Sequence, residues 1–168
     1  MKLVKYFIIL TLTFMFSISA CYALTEKEVR DFFNSYVNAA NTYQANLDTY
    51  YSQNAKILRY VIQKDGSVYP QPLIVGTRDY MAQLRLNAKV AKLRNYKNYY
   101  KNISVVKKGN DFKLSADRVP SPSPNDKLKS YFVIGVNASG KLTIKEEMMQ
   151  TREQIFISQI KKQQAAKK

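Results

Sequence analysis

The sequence contains no histidine and no tryptophan, and it has a single cysteine, Cys21. Without histidine, the chain cannot build a histidine-ligated metal site, a Ser-His-Asp triad or a Cys-His dyad. One cysteine cannot close a disulfide within the chain. Carboxylates, tyrosines and lysines are therefore the side chains left for chemistry, and we expect neither a metal ion nor a cofactor.

Acidic residues are also scarce. The 168 residues include 12 Asp and Glu against 27 Lys and Arg, which gives a formal net charge of +15. Such an excess indicates anionic surroundings or partners. Hydrophobic residues make up 46% of the chain, so the composition is not that of a chain disordered throughout. The length is typical of one domain.

The N-terminus has the organisation of a secretory signal peptide. Lys2 and Lys5 precede an apolar run at residues 7–16, and small residues follow at 17–23. This is the usual order of basic, hydrophobic and cleavage regions. The apolar run is shorter than the roughly 20 residues of a membrane-spanning helix. We therefore predict a periplasmic or secreted protein, with an uncleaved N-terminal anchor as the alternative.

Two processing sites compete in this signal. Small residues at 21 and 23 favour a cut before Leu24, which would remove residues 1–23. Residues 18–21 resemble a bacterial lipobox, in which Cys21 would become a lipidated N-terminus. We favour the cut before Leu24 over lipidation.

The next part of the chain has helical periodicity. Thr25 and Glu28 have the spacing of a capping box, and apolar residues with helical spacing follow as far as Ala40. A second helical piece is predicted to carry Leu47, Tyr50 and Tyr51. Residues 55–63 are typical of a strand, and residues 77–93 predict another helix with Thr77 as its N-cap.

The second half of the chain has the period of strands. Strands are predicted at residues 99–107, 112–119, 129–136 and 141–147, with a proline-rich loop at 120–126. The segment from residue 150 onward favours a helix. We predict one domain at residues 24–153 and a basic, frayed helical tail at 154–168.

Four segments resemble the nuclear transport factor 2-like (NTF2-like, or SnoaL-like) superfamily. They are residues 31–41, 46–57, 76–80 and 139–144, and the resemblance extends over roughly residues 26–152. It implies an α+β cone-like fold, in which N-terminal helices pack on a curved, mostly antiparallel sheet. Members of this superfamily include isomerases, ligand-binding proteins and assembly modules, so the fold does not decide the function.

The resemblance also implies a ligand pocket inside the cone. We predict that it is lined by Tyr36, Tyr50, Arg59, Tyr80 and Phe132. In the ketosteroid isomerase branch, a Tyr, a general-base carboxylate and a protonated acid act together. Tyr36 matches the Tyr, but Arg59 and Phe132 fall near the positions of the two acids. Since arginine stays protonated, Arg59 cannot act as the base.

Other carboxylates could replace the missing base. The candidate catalytic residues are Tyr36, Asp48 and Glu146. Period-2 alternation puts Glu146 on the same face as Ile144, so that an inward apolar face would bring its carboxylate to the pocket. The alternative is a structural role for Glu146, in an ion pair with an arginine or at the rim.

Basic residues cluster after residue 88 and alternate with tyrosines. The predicted basic surface consists of Lys89, Lys92, Arg94, Lys97 and Lys101. Basic and aromatic residues together can bind single-stranded nucleic acid, but an exported protein seldom meets it. Anionic lipid headgroups, lipopolysaccharide or an acidic protein surface fit this compartment better. The alternative is a solvated basic surface without a partner.

Three functions remain open on the sequence. The favoured one is a non-enzymatic exported module that binds a small apolar or amphipathic ligand or an envelope protein, with a homodimer formed through the sheet. The second is a small-molecule isomerase or lyase that uses a pocket carboxylate. The third is a basic binder of an anionic envelope surface, lipid or polysaccharide.

Overall fold

The computed structural model describes residues 23–153 of the chain. This part contains two α-helices, a short 3-10 helix and six strands. The helices are α1 (Glu26–Asn41), the 3-10 helix η1 (Leu47–Tyr50) and α2 (Thr77–Leu93). The strands are β1 (Tyr51–Ile62), β2 (Leu73–Val75), β3 (Asn98–Lys108), β4 (Asp111–Pro120), β5 (Leu128–Val136) and β6 (Leu142–Arg152).

The strands form one open sheet in the order β2-β1-β6-β5-β4-β3. The β1–β6 pair is parallel, and every other neighbouring pair is antiparallel. Because β1 and β6 are far apart in sequence, their pairing joins the two ends of the domain in the middle of the sheet. The predicted fold class, helices packed on a mostly antiparallel sheet, is confirmed.

Helix α1 begins as the sequence predicts. Thr25 accepts a hydrogen bond from the backbone N–H of Glu28, and the Glu28 carboxylate accepts one from the backbone N–H of Thr25. The inward face of the helix buries Val29, Phe33 and Tyr36. These side chains pack on the inner face of the sheet, against residues that include Leu114, Phe132 and Ile134.

The prediction of a second helical piece that carries Leu47, Tyr50 and Tyr51 is wrong beyond the first turn. It ends after the single 3-10 turn η1, and the chain is already in strand β1 at Tyr51. The predicted N-cap role of Thr77 is also wrong. Gly76 occupies the N-cap position without a side-chain cap, and the Thr77 hydroxyl donates to the carbonyl of Ala55 instead.

The helix expected from residue 150 onward is wrong for its first residues. Strand β6 continues to Arg152, where Tyr60 pairs with Gln150 and Ile62 pairs with Arg152 across the parallel β1–β6 ladder. Long-range pairing with β1 overrides the local helical preference here. Two predicted segments lie outside the described residues: the tail at 154–168 and the signal peptide up to Tyr22. The second segment includes Cys21, the predicted lipidation site, and most of the cleavage motif.

Between residues 23 and 153, no helix is both long enough and apolar enough to cross a membrane.

Candidate functional site

A bulge in β6 decides which carboxylate enters the cone. Ile144 pairs with Ile134 of β5, but Glu146 pairs with Val133, so that Lys145 is an extra residue in the strand. An extra residue shifts the alternation of the side chains. Glu147 therefore lies on the inner face and is completely buried. The prediction that Glu146 shares the inner face with Ile144 is wrong for this reason.

Glu147 is held by three side chains from other elements. Arg59 of β1 donates from Nη2 to Glu147 Oε1 over 2.5 Å, and both groups are buried. Tyr80 of α2 donates to the same oxygen over 2.9 Å. Tyr51, at the start of β1, donates to Oε2 in a short hydrogen bond. Both carboxylate oxygens thus have donors, and Arg59 supplies the opposite charge.

The tyrosine hydroxyls form a chain that leads to this carboxylate. The hydroxyl oxygens of Tyr36 and Tyr51 are 2.8 Å apart. A hydroxyl has one proton to donate, and Tyr51 already donates to Glu147. Tyr36 is therefore the donor to Tyr51. The polar groups of α1, β1, α2 and β6 meet in this network, which we call the Glu147 network (Tyr36, Tyr51, Arg59, Tyr80 and Glu147).

Four side chains of the Glu147 network have raised pKa values. Burial raises the pKa of Tyr36 and of Tyr51 well above the usual value, and the Glu147 charge raises both further. Burial also raises the pKa of Tyr80. Burial alone would lower the pKa of Arg59, but the adjacent Glu147 carboxylate more than offsets this and raises it. The tyrosines stay neutral and the arginine stays charged.

Aromatic rings pack against the network. The Phe132 ring lies 5.8 Å from the Tyr36 ring and 4.9 Å from the Phe33 ring. The guanidinium of Arg59 lies over the Tyr80 ring at 4.9 Å from its centroid. A carboxylate that is fully buried and bonded to an arginine and two tyrosines has the surroundings of a structural ion pair. It could contact a ligand only after these bonds had opened.

Four of the five predicted pocket residues come together in the interior. Tyr36, Arg59 and Tyr80 belong to the Glu147 network, and Phe132 pairs with Glu147 across β5 and β6. Tyr50 lies at the edge of this group: its ring is 5.6 Å from the Tyr36 ring, and its hydroxyl is 2.9 Å from the Ser35 hydroxyl. Whether any of them binds a ligand stays a prediction.

The two other candidate acids lie away from the interior. Asp48 accepts a hydrogen bond from Arg85 of α2, and this contact lowers the pKa of the carboxyl. Glu146 accepts a hydrogen bond from the Tyr131 hydroxyl over 2.5 Å on the outer face of the sheet. Its nearest cation is Lys108, at 3.9 Å. Neither acid lies beside Tyr36, with which the sequence analysis grouped them.

A groove opens between α1 and β3, outside the Glu147 network. Its volume is about 490 Å³, and its lining includes Phe33, Val37, Tyr100, Lys101, Ile103 and Val119. The proline-rich loop contributes Pro124 to one wall. We call this feature the α1–β3 groove.

Two asparagines fix the position of this groove. The Asn41 side chain, at the end of α1, donates to the carbonyl of Asn98 over 2.9 Å. It also accepts from the backbone N–H of Asn98 over 2.9 Å. This pair of bonds ties the end of α1 to the start of β3. The groove could not be predicted from the sequence, because its walls come from segments that are far apart along the chain.

The five residues of the predicted basic surface lie on α2, on the segment that follows it and on β3. Lys89 and Lys92 are exposed on α2, Arg94 follows the helix, and Lys97 precedes β3. Lys101 borders the α1–β3 groove. Among the described residues, no acidic side chain forms an ion pair with any of these five. Within the same residues, no cluster of three or more acidic or cysteine side chains has the arrangement of a metal site.

No family model matches the sequence, and no curated protein is significantly similar to it. Solved structures do match. The yeast Ubp3-associated protein Bre5 has 15% identity and a TM-score of 0.54, with 75% of this chain and 95% of that chain covered. An NTF2-like protein of unknown function from Pseudomonas putida KT2440 has 10% identity and a TM-score of 0.51, with 74% and 84% covered.

An NTF2-like protein with a cystatin-like fold from Novosphingobium aromaticivorans has 11% identity and a TM-score of 0.51, with 74% of this chain and 79% of that chain covered. The chain therefore has the NTF2-like fold, and the resemblance predicted from its sequence is confirmed at this level. At such identities the fold carries no information about activity.

Proposed function

We propose that this chain is an exported, non-enzymatic NTF2-like module that binds a small amphipathic ligand, or an apolar segment of an envelope protein, in the α1–β3 groove. The proposal depends on one observation: the acid of the interior is occupied by hydrogen bonds, whereas the α1–β3 groove is open to a ligand. The interior acid, Glu147, is buried, and both of its carboxylate oxygens accept hydrogen bonds from side chains. The groove is open and mainly apolar.

The dimensions and chemistry of the groove fit such a ligand. Small-molecule sites have volumes of roughly 300–1,000 Å³ and a mainly apolar lining with a few polar groups. Phe33, Val37 and Ile103 supply the apolar surface. Lys101 is exposed at the edge, and it could bind a carboxylate or phosphate at one end of an apolar body.

The N-terminal segment supports export. Residues 1–23 have the order of a signal peptide, and a ligand or partner would then be met in the periplasm or outside the cell. Bre5, which shares the fold, is described as associated with Ubp3. This supports protein partners as one use of the fold, although the partner of this chain would be a different protein.

The alternative of an isomerase or lyase has weaker support. A reaction would need a carboxylate that reaches the ligand. Asp48 and the buried Glu147 are each bonded to an arginine, and Glu146 is bonded to Tyr131 on the outer face of the sheet. The groove lining includes no acidic residue. A proton-transfer reaction in the groove would therefore lack a carboxylate base.

Native mass spectrometry of the chain purified from its own cells would test the proposal. We expect a bound mass on the wild-type protein that is reduced at least severalfold by Lys101→Glu, because the reversed charge repels an anionic group. Lys107→Glu is the matched control, since it reverses another exposed lysine of β3 outside the groove lining. A bound mass that both variants retain in full would contradict binding at the groove.

A further inference from the structure

Helix α2 exposes a ridge of large aliphatic side chains. The exposed fractions are 73% for Leu86, 44% for Val90 and 87% for Leu93. At about 100° per residue, these three fall within roughly 60° of the helix circumference. The opposite face carries Ala88, which is buried, and Leu84, which packs on the core. The ridge therefore points away from the protein.

Cations flank this ridge on both sides. By helical spacing, Arg85, Lys89 and Lys92 lie on one side and Arg94 lies on the other. Lys89, Lys92 and Arg94 have no acidic partner among residues 23–153, whereas Arg85 is paired with Asp48. The acidic residue of the helix, Asp79, lies in its first turn, about two turns before Leu86.

An apolar ridge between cations matches the surface of an anionic bilayer. Aliphatic side chains enter the boundary between headgroups and acyl chains, while lysine and arginine reach the phosphates. A ridge that projects from one helix offers no groove for a peptide. A second copy of this chain would bring the same cations against each other, which is unfavourable.

We propose that the outer face of α2, formed by Leu86, Val90 and Leu93 with Lys89, Lys92 and Arg94, docks onto the surface of an anionic phospholipid bilayer. The helix lies parallel to the membrane plane and does not cross it. This proposal does not depend on the α1–β3 groove, because it stands on different residues.

The absence of tryptophan from the chain allows a site-specific test. The full chain carrying Leu93→Trp has one tryptophan, at the end of the ridge. Its emission is measured with vesicles of phosphatidylcholine alone and with vesicles that also contain phosphatidylglycerol. The matched control is Val106→Trp, which places the only tryptophan on β3 at a position with 64% exposure.

We expect the emission of the Leu93→Trp protein to shift to shorter wavelength with anionic vesicles, and to be quenched by lipids brominated on the acyl chains. The emission of the Val106→Trp protein should change little. The apolar run at residues 7–16 is identical in both variants, so it cannot produce a difference between them.

Charge variants of the Leu93→Trp protein measure the electrostatic contribution to vesicle binding. Lys89→Gln, Lys92→Gln and Arg94→Gln together should weaken partition into anionic vesicles by about a hundredfold, at about fivefold for each cation. Changing Lys107, Lys108 and Lys113 to Gln removes the same charge from the far strands, and should weaken partition much less.

Three results would overturn the proposal. The first is an equal response of the two tryptophans to anionic vesicles. The second is a shift of the Leu93→Trp emission with protein concentration alone, which would indicate a second copy on the ridge. The third is a shift with an oligonucleotide or an acidic protein but none with anionic vesicles.

Discussion

Arg59 on β1 and Glu147 on β6 form a buried ion pair across the parallel strands at the centre of the sheet, with 2.5 Å between Nη2 and Oε1. Tyr51 and Tyr80 complete the hydrogen bonds of the carboxylate. The pair therefore fixes the start of β1, helix α2 and strand β6 relative to one another. Glu146 was the acid expected on the inner face of the sheet; Glu147 lies there instead and holds the core together.

Removal of one partner of this pair should destabilise the fold strongly. We expect Glu147→Gln and Arg59→Met each to lower the free energy of unfolding by about 3–5 kcal/mol. Glu147→Gln leaves the Arg59 charge buried without its partner, and Arg59→Met leaves the Glu147 charge buried without its partner. The double variant should lose clearly less than the two single losses together. Urea unfolding of the wild-type protein, the two single variants and the double variant gives the interaction free energy between the two side chains.

Glu146→Gln is the matched control for Glu147→Gln. The Glu146 side chain is partly exposed and bonded to Tyr131, so we expect a loss of less than about 1 kcal/mol. Equal losses for Glu146→Gln and Glu147→Gln would mean that the bulge at Lys145 does not select the inward acid.

The two tyrosines of the hydroxyl chain should differ in importance. Tyr51→Phe removes the donor to Glu147 and also the acceptor of Tyr36, so we expect a loss of about 2 kcal/mol. Tyr36→Phe leaves the bond between Tyr51 and Glu147 intact, and about 1 kcal/mol is expected. Urea unfolding measures both, and the reverse order would contradict the direction of the hydrogen bonds.

Stability should fall at alkaline pH. Burial raises the pKa of Tyr36, Tyr51, Tyr80 and Tyr100 above the value of 10.0 that an unfolded tyrosine has. Above about pH 10 the folded protein holds more protons than the unfolded chain, so stability is complete below this pH and decreases as the pH rises.

Absorbance of the phenolate, measured together with circular dichroism, tests this pH dependence. We expect Tyr36, Tyr51, Tyr80 and Tyr100 to ionise only when the protein unfolds. Ionisation of all the tyrosines around pH 10 in the folded protein would contradict the buried network.

Export predicts a shortened chain in the cell envelope. Intact-mass measurement of the protein from a periplasmic fraction should give a chain that begins at Leu24. A mass that corresponds to a lipid-modified Cys21 would select the alternative processing site. Recovery of the unprocessed chain from the cytoplasm alone would contradict export.

Helices α1 and α2 and the strands of the second half could be predicted, because they depend on local patterns. The capping box of Thr25 and Glu28, the apolar stripe of α1 and the turn residues between the strands are all visible in the sequence. The resemblance to the NTF2-like superfamily predicted one pocket for Tyr36, Arg59, Tyr80 and Phe132, and the structure brings these four side chains together in the interior; ligand binding by them stays a prediction.

The inward acid could not be predicted by alternation. Lys145, Glu146 and Glu147 are three charged residues in succession, and only the pairing of β6 with β5 determines which of them is the extra residue. Likewise, the end of β6 depends on its parallel pairing with β1. The exposure of Leu86, Val90 and Leu93 depends on which face of α2 meets the sheet.

The most direct test of the account is native mass spectrometry of the Arg59→Met, Glu147→Gln double variant, purified from its own cells beside the wild-type protein. Its fold is checked by circular dichroism. We predict that the folded variant keeps the bound mass of the wild-type protein, because the interior ion pair supports the fold and the ligand lies in the α1–β3 groove. A folded variant that has lost the bound mass would contradict this, and would place the ligand at the Glu147 network.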